Sequence, residues 1–206
     1  MPTAAPEAPQ VDPTLWTPTL TATEVQIGTP NGPGVWVAPV GTALPADTKT
    51  AFTTPWLNLG YLSDAGPTIG QNTSKQDMTP WQSVAPIRSV ITGRDVTLHM
   101  IFWQLNVQTL GIYFDADQPV PAADGSFTMS VRVDKGGHQY AVAIDSLDGS
   151  ATATTSKVLR VGFTRALLTD AGDMAITRGA TIPLEVTLTA QADNQVLCTV
   201  MSGAPA

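Results

Sequence analysis

The side chains able to do chemistry are few and scattered. Asp115, Asp117 and Asp124 with Gly125 form the one acidic group spaced like a cation loop. Such a loop must place an oxygen at every second position, yet Pro119 occupies its fifth, and no bidentate Glu closes the run, so a plain loop is the better reading. His99 and His138 fall on an alternating strand face and in a turn, and two histidines alone do not complete a zinc site. Ser63-Asp64 and Ser83 lack the flanking glycines of a nucleophile elbow. The glycine cluster at 28–34 is followed by neither the Lys nor the helix of a phosphate loop. Cys198, the single cysteine, sits in the alternating run Val196, Cys198, Val200. There a thiol acts as a small buried hydrophobe, excludes an intramolecular disulfide and suits a reducing site of synthesis. Five tryptophans could offer stacking platforms to a sugar, but Trp36, Trp56 and Trp103 flank strand patterns and fit core or subunit contacts better. We expect no enzyme activity, no cofactor and no metal site.

Composition points instead to a surface made for company. Charged residues are 13% of the 206 and hydrophobic ones 43%, which leaves little charged surface for a monomer and suits burial against copies of the same chain. A Thr-rich β-protein that wets its surface with hydroxyls is the alternative. Ten Lys and Arg against 17 Asp and Glu give a net charge of −7, and the cations are scattered singly, so there is no basic stripe to bind phosphates. The N-terminus lacks a positive region and an apolar core, and no apolar run approaches the roughly 20 residues of a membrane span. The expectation is a protein without a membrane segment, kept in the cytosol until assembly or lysis.

The elements that would carry these residues centre on residues 81–114. Val96, Leu98, Met100 and Phe102 alternate with polar neighbours, the period of a strand with one buried face. Val107, Leu110 and Phe114 then form a helical stripe behind Asn106, a good cap, so a packed helix is expected over 106–114. Before this, residues 1–20 carry prolines at 2, 6, 9, 13 and 18 and read as an extended arm, with Leu15 and Trp16 as anchors if it crosses a neighbouring subunit, or else as a loose tail. Residues 23–27 and 35–37 read as short strands. Residues 46–52 allow one helical turn, and 56–62 a strand with Leu57, Leu59 and Tyr61 on one face. Residues 68–80 are polar and low in bulk and read as a long loop or hairpin tip, ordered only by a partner. Its hydrogen-bonding residues Gln71, Asn72, Lys75 and Asp77, bracketed by the apolar Ile69, Met78 and Trp81, are the expected inter-subunit contacts. Later strands are expected at 127–133 and 140–144, at 159–163, at 174–176, at 182–188 with Pro183 at a start or an edge, and at 196–200. One domain over 21–202 follows, with a short tail at 203–206.

The order Trp81-x-x-x-x-Pro86-x-Arg88, a Thr92-Gly93 turn, an amphipathic strand and an Asn106-capped helix ending Gly111-Ile-Tyr-Phe114 resembles the major tail tube proteins of long-tailed bacteriophages, particularly those infecting actinobacteria. Upstream, the runs from Val37 to Asp47 and from Trp56 to Gly66 look like the lead-in of these proteins. The resemblance covers residues 34–115 well and the rest in pattern only. It implies a β-sandwich of two crossed antiparallel sheets flanked by one short α-helix. It also implies hexameric rings stacked into a tube in the virion tail, through which double-stranded DNA passes without specific contacts. A tape-measure protein, a tail terminator and tip or baseplate proteins are the partners it implies. No trailing immunoglobulin-like domain is expected, since the last strand pattern ends within a few residues of Ala206. The competing reading is a monomeric β-sandwich module that binds carbohydrate or a host surface.

Overall fold

The computed structural model describes residues 34–149 and 156–204; the expected arm with Leu15 and Trp16, and the strand at 23–27, lie outside them. The described chain is mainly β: β1 (Gly34–Pro39), β2 (Leu57–Asn58), β3 (Thr68–Met78), β4 (Arg88–Phe102), α1 (Val107–Tyr113), β5 (Gln139–Asp148), β6 (Lys157–Ala171), β7 (Leu184–Ala190) and β8 (Thr199–Gly203). All pairings are antiparallel and form one continuous sheet ordered β2-β1-β5-β6-β7-β4-β3, with β8 beside β6.

The long β6 makes this sheet double back like a sandwich. Along Val158–Gly162 its free side takes β8, and from Ala166 to Ala171 the same side takes β7. Register shifts at Tyr140/Val142 and at Leu168/Asp170 mark the change, as bulges do where a sheet bends. Val35 and Val37 of β1, Val142 of β5 and Phe163 of β6 thereby enter the same buried cluster as Val96, Leu98, Met100 and Phe102 of β4 and Leu184, Val186 and Leu188 of β7. Two layers of alternating apolar residues thus share one core. Pro183 directly precedes β7, where a missing N–H costs no ladder bond.

A second, smaller core lies on the other face of β1 and β5. Residues 40–56 fold over Ala38, Ala141 and Ala143 and bury Trp56. Phe52 stacks on Trp36 at 4.8 Å between ring centroids, meets Trp56 edge-on at 5.2 Å, and lies 4.3 Å beneath the Arg160 guanidinium. Arg160 donates from Nε and Nη2 to both carboxylate oxygens of Asp145 at 2.7 Å, and from Nη1 to the carbonyls of Asp47 and Thr50. Both charges are more than nine-tenths buried. A pair so buried is neutral to stability as a unit, but removing one partner costs about 3–5 kcal/mol. The helical turn expected at 46–52 is instead a turn in which Asp47 Oδ1 accepts from the amides of Lys49 and Thr50 and from the Thr50 hydroxyl.

Several expected elements differ. Residues 127–133 and 174–176 form no strands, although Phe127 and Met129 keep their alternation as half-buried residues; alternation gives one face, and a ladder needs a partner strand that these lack. Leu57 is exposed while Leu59 is fully buried, because the paired strand stops at Asn58 and the two leucines no longer share one pleated face. The last strand begins after the half-buried Cys198 and runs to Gly203, leaving Val196 and Val200 exposed.

The helix is capped as expected: Asn106 Oδ1 accepts from the Thr109 amide at 2.8 Å and Thr109 Oγ1 from the Asn106 amide at 3.0 Å. Asn106 also donates to the Leu59 carbonyl, and Tyr113 Oη to that of Gly172, so both ends of α1 are tied to the body. Val107 is buried and Leu110 packs partly on the core, but Phe114 is 37% exposed. It is the C-cap, with φ −88° and ψ 0°, out of helical phase, and the fully buried Ile112 takes the place foreseen for it. Ile112→Ala should therefore lower unfolding free energy in urea by about 2–5 kcal/mol, and Phe114→Ala by clearly less; equal losses would mean that the stripe is assigned to the wrong face.

Candidate assembly surfaces

The polar stretch at 68–80 is an 11-residue strand, β3, not a loop, paired with β4 from Thr68↔His99 out to Met78↔Arg88. Its threonines favour extended backbone, as do Val90, Ile91 and Thr92 opposite. The signal missed earlier is that no proline falls between Pro67 and Pro80 or between Pro86 and Phe102. The expectation of a loop ordered only by a partner is corrected, since the segment already pairs with β4 within one chain.

What makes this hairpin unusual is its exposure. At Val96, Leu98, Met100 and Phe102 the inward face of β4 is buried, but from Arg88 to Ile91 no residue is covered on either face, and β3 is open along nearly its whole length. An extra residue between the pairs Ser74↔Gly93 and Lys75↔Ile91 marks where the free arm begins. Along it Ser89 donates to Asp77, which holds that carboxyl below its usual range, and Lys75 lies 3.5 Å from Asp77; pairs this exposed contribute little. The tip, residues 79–87, is held by its own turns: Ser83 N–H donates to the Pro80 carbonyl, Ala85 N–H to Ser83 Oγ and Ile87 N–H to the Met78 carbonyl. It nevertheless points Trp81, Val84 and Ile87 into solvent at 99%, 104% and 74% exposure.

Of the expected contact residues, Lys75, Asp77, Met78 and Trp81 thus lie along one projecting arm, with Ile69, Gln71 and Asn72 at its root. Val84, Ile87 and Ile91 belong with them and were not foreseen; the apolar residues spaced between Pro80 and Pro86 were the available clue. Beyond the arm, β3 and β2 are the end strands of the sheet, each with an outer edge that pairs with no other described strand. Such edges invite pairing with another chain.

The acidic group at 115–117 closes a different feature. Asp115, at φ +47°, accepts from the amides of Gly137 and His138 and from His138 Nδ1, while Asp117 accepts from His138 Nε2 and from Lys135. Asp124 serves only its own turn with Ser126, and no group of three or more His, Cys, Asp or Glu is placed to hold a metal among the described residues. This latch ties off the long excursion between α1 and β5. His99 pairs separately with Glu185 at 2.8 Å.

The titration of the latch has a definite sign. Asp115, and with it Asp117, holds His138 above its ordinary 6.5 against the opposing effect of partial burial. Burial alone would raise Asp115, but the Gly137 amide and the His138 ring outweigh it, and Lys135 with His138 holds Asp117 below 3.8. The histidine's contribution is complete below its unfolded value and is lost as pH rises through the higher folded one. The aspartates' contribution is present above their unfolded value and is lost as pH falls through the lowered ones. The latch is therefore strongest between pH 3.8 and 6.5. A ring-proton NMR titration should place His138 above 6.5, and Asp115→Asn should bring it down; no change in that variant would remove Asp115 as the cause.

Residues 18–203 match the family model described as phage tail tube protein. No curated protein matches the chain. With the match spanning nearly all of a mainly β, sandwich-like subunit that leaves an apolar-tipped arm and sheet edges open, the chain belongs to the phage tail tube protein family, structural proteins of the virion tail that assemble into a tube.

Proposed function

We propose that copies of this chain close into hexameric rings, that the rings stack into the tail tube, and that the β3–β4 arm makes the ring-to-ring contact. The tube is then the conduit for double-stranded DNA entering the host. Assembly starts on tip or baseplate proteins, with length set by a tape-measure protein and a terminator. The subunit is made in the host cytoplasm before it joins the virion. The observation that carries this reading is the arm itself, in a chain of this family: paired as a ladder, uncovered on both faces, and ending in Trp81, Val84 and Ile87.

An isolated two-stranded hairpin is marginal in water, and nothing in the subunit covers this one. Full burial of Val84 or Ile87 against a neighbour would contribute about 1.5–3 kcal/mol each. Because the arm is preformed, stacking costs little further backbone entropy, which favours a contact repeated at every ring. Around the ring, the outer edges of the end strands offer the backbone pairing that closes a cyclic interface. A solitary binding module has no use for an apolar tip held clear of its body.

The test shortens the arm without touching its root. Replacing residues 75–92 by Asn-Gly closes the hairpin on the Ser74↔Gly93 pair with a two-residue turn suited to it. The shortened subunit should keep its thermal midpoint within a few degrees and form no tubes by negative-stain microscopy, whereas tubes of ordinary length would place the stacking contact elsewhere.

A further inference from the structure

An open cleft of about 1180 Å³ lies at the root of the arm, on the side away from the tip. Leu62, Ile69, Trp103, Leu159 and Val161 give it apolar walls, and the 79% exposed Tyr61 stands at its rim. Ile69 pairs with Leu98 and Met78 with Arg88 along the same ladder. At about 3.3 Å per residue, cleft and tip are therefore roughly 30 Å apart along the strand direction. One subunit thus carries an uncovered apolar projection at one end of the ladder and an apolar recess at the other.

We propose that this cleft is the socket for the arm tip of a second copy, in the adjacent ring. The inference rests on the stacking role given to the arm above and names the surface that receives it. Two observations support a copy of the chain as occupant. The cleft, at about 1180 Å³, is on the scale of a peptide turn such as 79–87. Its polar features match the tip: Asp64 lines the cleft, Arg88 flanks the tip, and neither has an ion-pair partner among the described residues. Tip and socket are different patches on one chain, so the contact is heterologous and, running along the strand, repeats without closing, as a tube requires.

The test places Val84→Cys and Tyr61→Cys together in a Cys198→Ser background, both new thiols being on exposed positions. Mild oxidation of assembled tubes should give a ladder of disulfide-linked multimers on a non-reducing gel, because each copy is linked both upward and downward, while either single variant gives no ladder. Tubes that form and yield no ladder would overturn the socket and leave the stacking role of the arm standing. Should the double variant fail to polymerise, amide hydrogen exchange on unmodified tubes and unpolymerised subunits decides: slowing at both 60–66 and 79–87 is expected, and slowing at 79–87 alone overturns the socket. If the arm-shortened protein still makes tubes, the stacking reading has failed, and the socket falls with it.

Discussion

Strand β4 is held like a beam fixed at one end, and the subunit is built around that fixture. Its inner half presents Val96, Leu98, Met100 and Phe102 to the core at 5% exposure or less, is paired on both sides by β3 and β7, and runs within a few residues into a capped helix tied to Leu59 and Gly172. Its outer half has a ladder and no core. A hairpin with two wet faces cannot supply its own rigidity, so the direction of the arm is set by packing at its root. In the assembly proposed above, the next copy covers the apolar surface that the free half leaves open.

The opposite face answers the same need for a firm base. The segment at 40–56 is sealed onto β1, β5 and β6 by the aromatic stack of Trp36, Phe52 and Trp56 and by the Asp145–Arg160 pair. Arg160 Nε, Nη1 and Nη2 all meet carboxylate or carbonyl oxygens, which is the condition for burying charge without a large penalty. With both faces of β1 and β5 packed, that part of the sheet is stiffened from both sides.

How much of this could be read from the sequence depended on one-sided burial. Where a strand has one dry face, as at Val96–Phe102, or a helix has a clear cap, as at Asn106, period and cap chemistry located the element. The arm defied the same method because both its faces are wet, so β3 shows no alternation, and its polarity reads as loop. Residues 127–133 show the converse, alternation without a partner strand. Phe114 was assigned to the helix stripe because its spacing fits, but the helix stops at Tyr113, and the choice between it and Ile112 rests on a chain ending that periodicity does not encode. The pairing of Asp145 with Arg160 follows from the β5–β6 register, a long-range fact invisible to local pattern. Of the assembly residues, Trp81 and Met78 stood out as apolar residues in polar company, whereas the cleft is assembled from separate segments and had no signature in any one of them.

We propose that this subunit builds the tube by head-to-tail polymerisation. The most direct test is electron microscopy of the purified, unmodified full-length chain at rising concentration. Rings that give way to stacked tubes of constant diameter are the predicted result. A protein that stays monomeric and featureless up to its solubility limit, and also when seeded with preformed tail tips, would contradict the account.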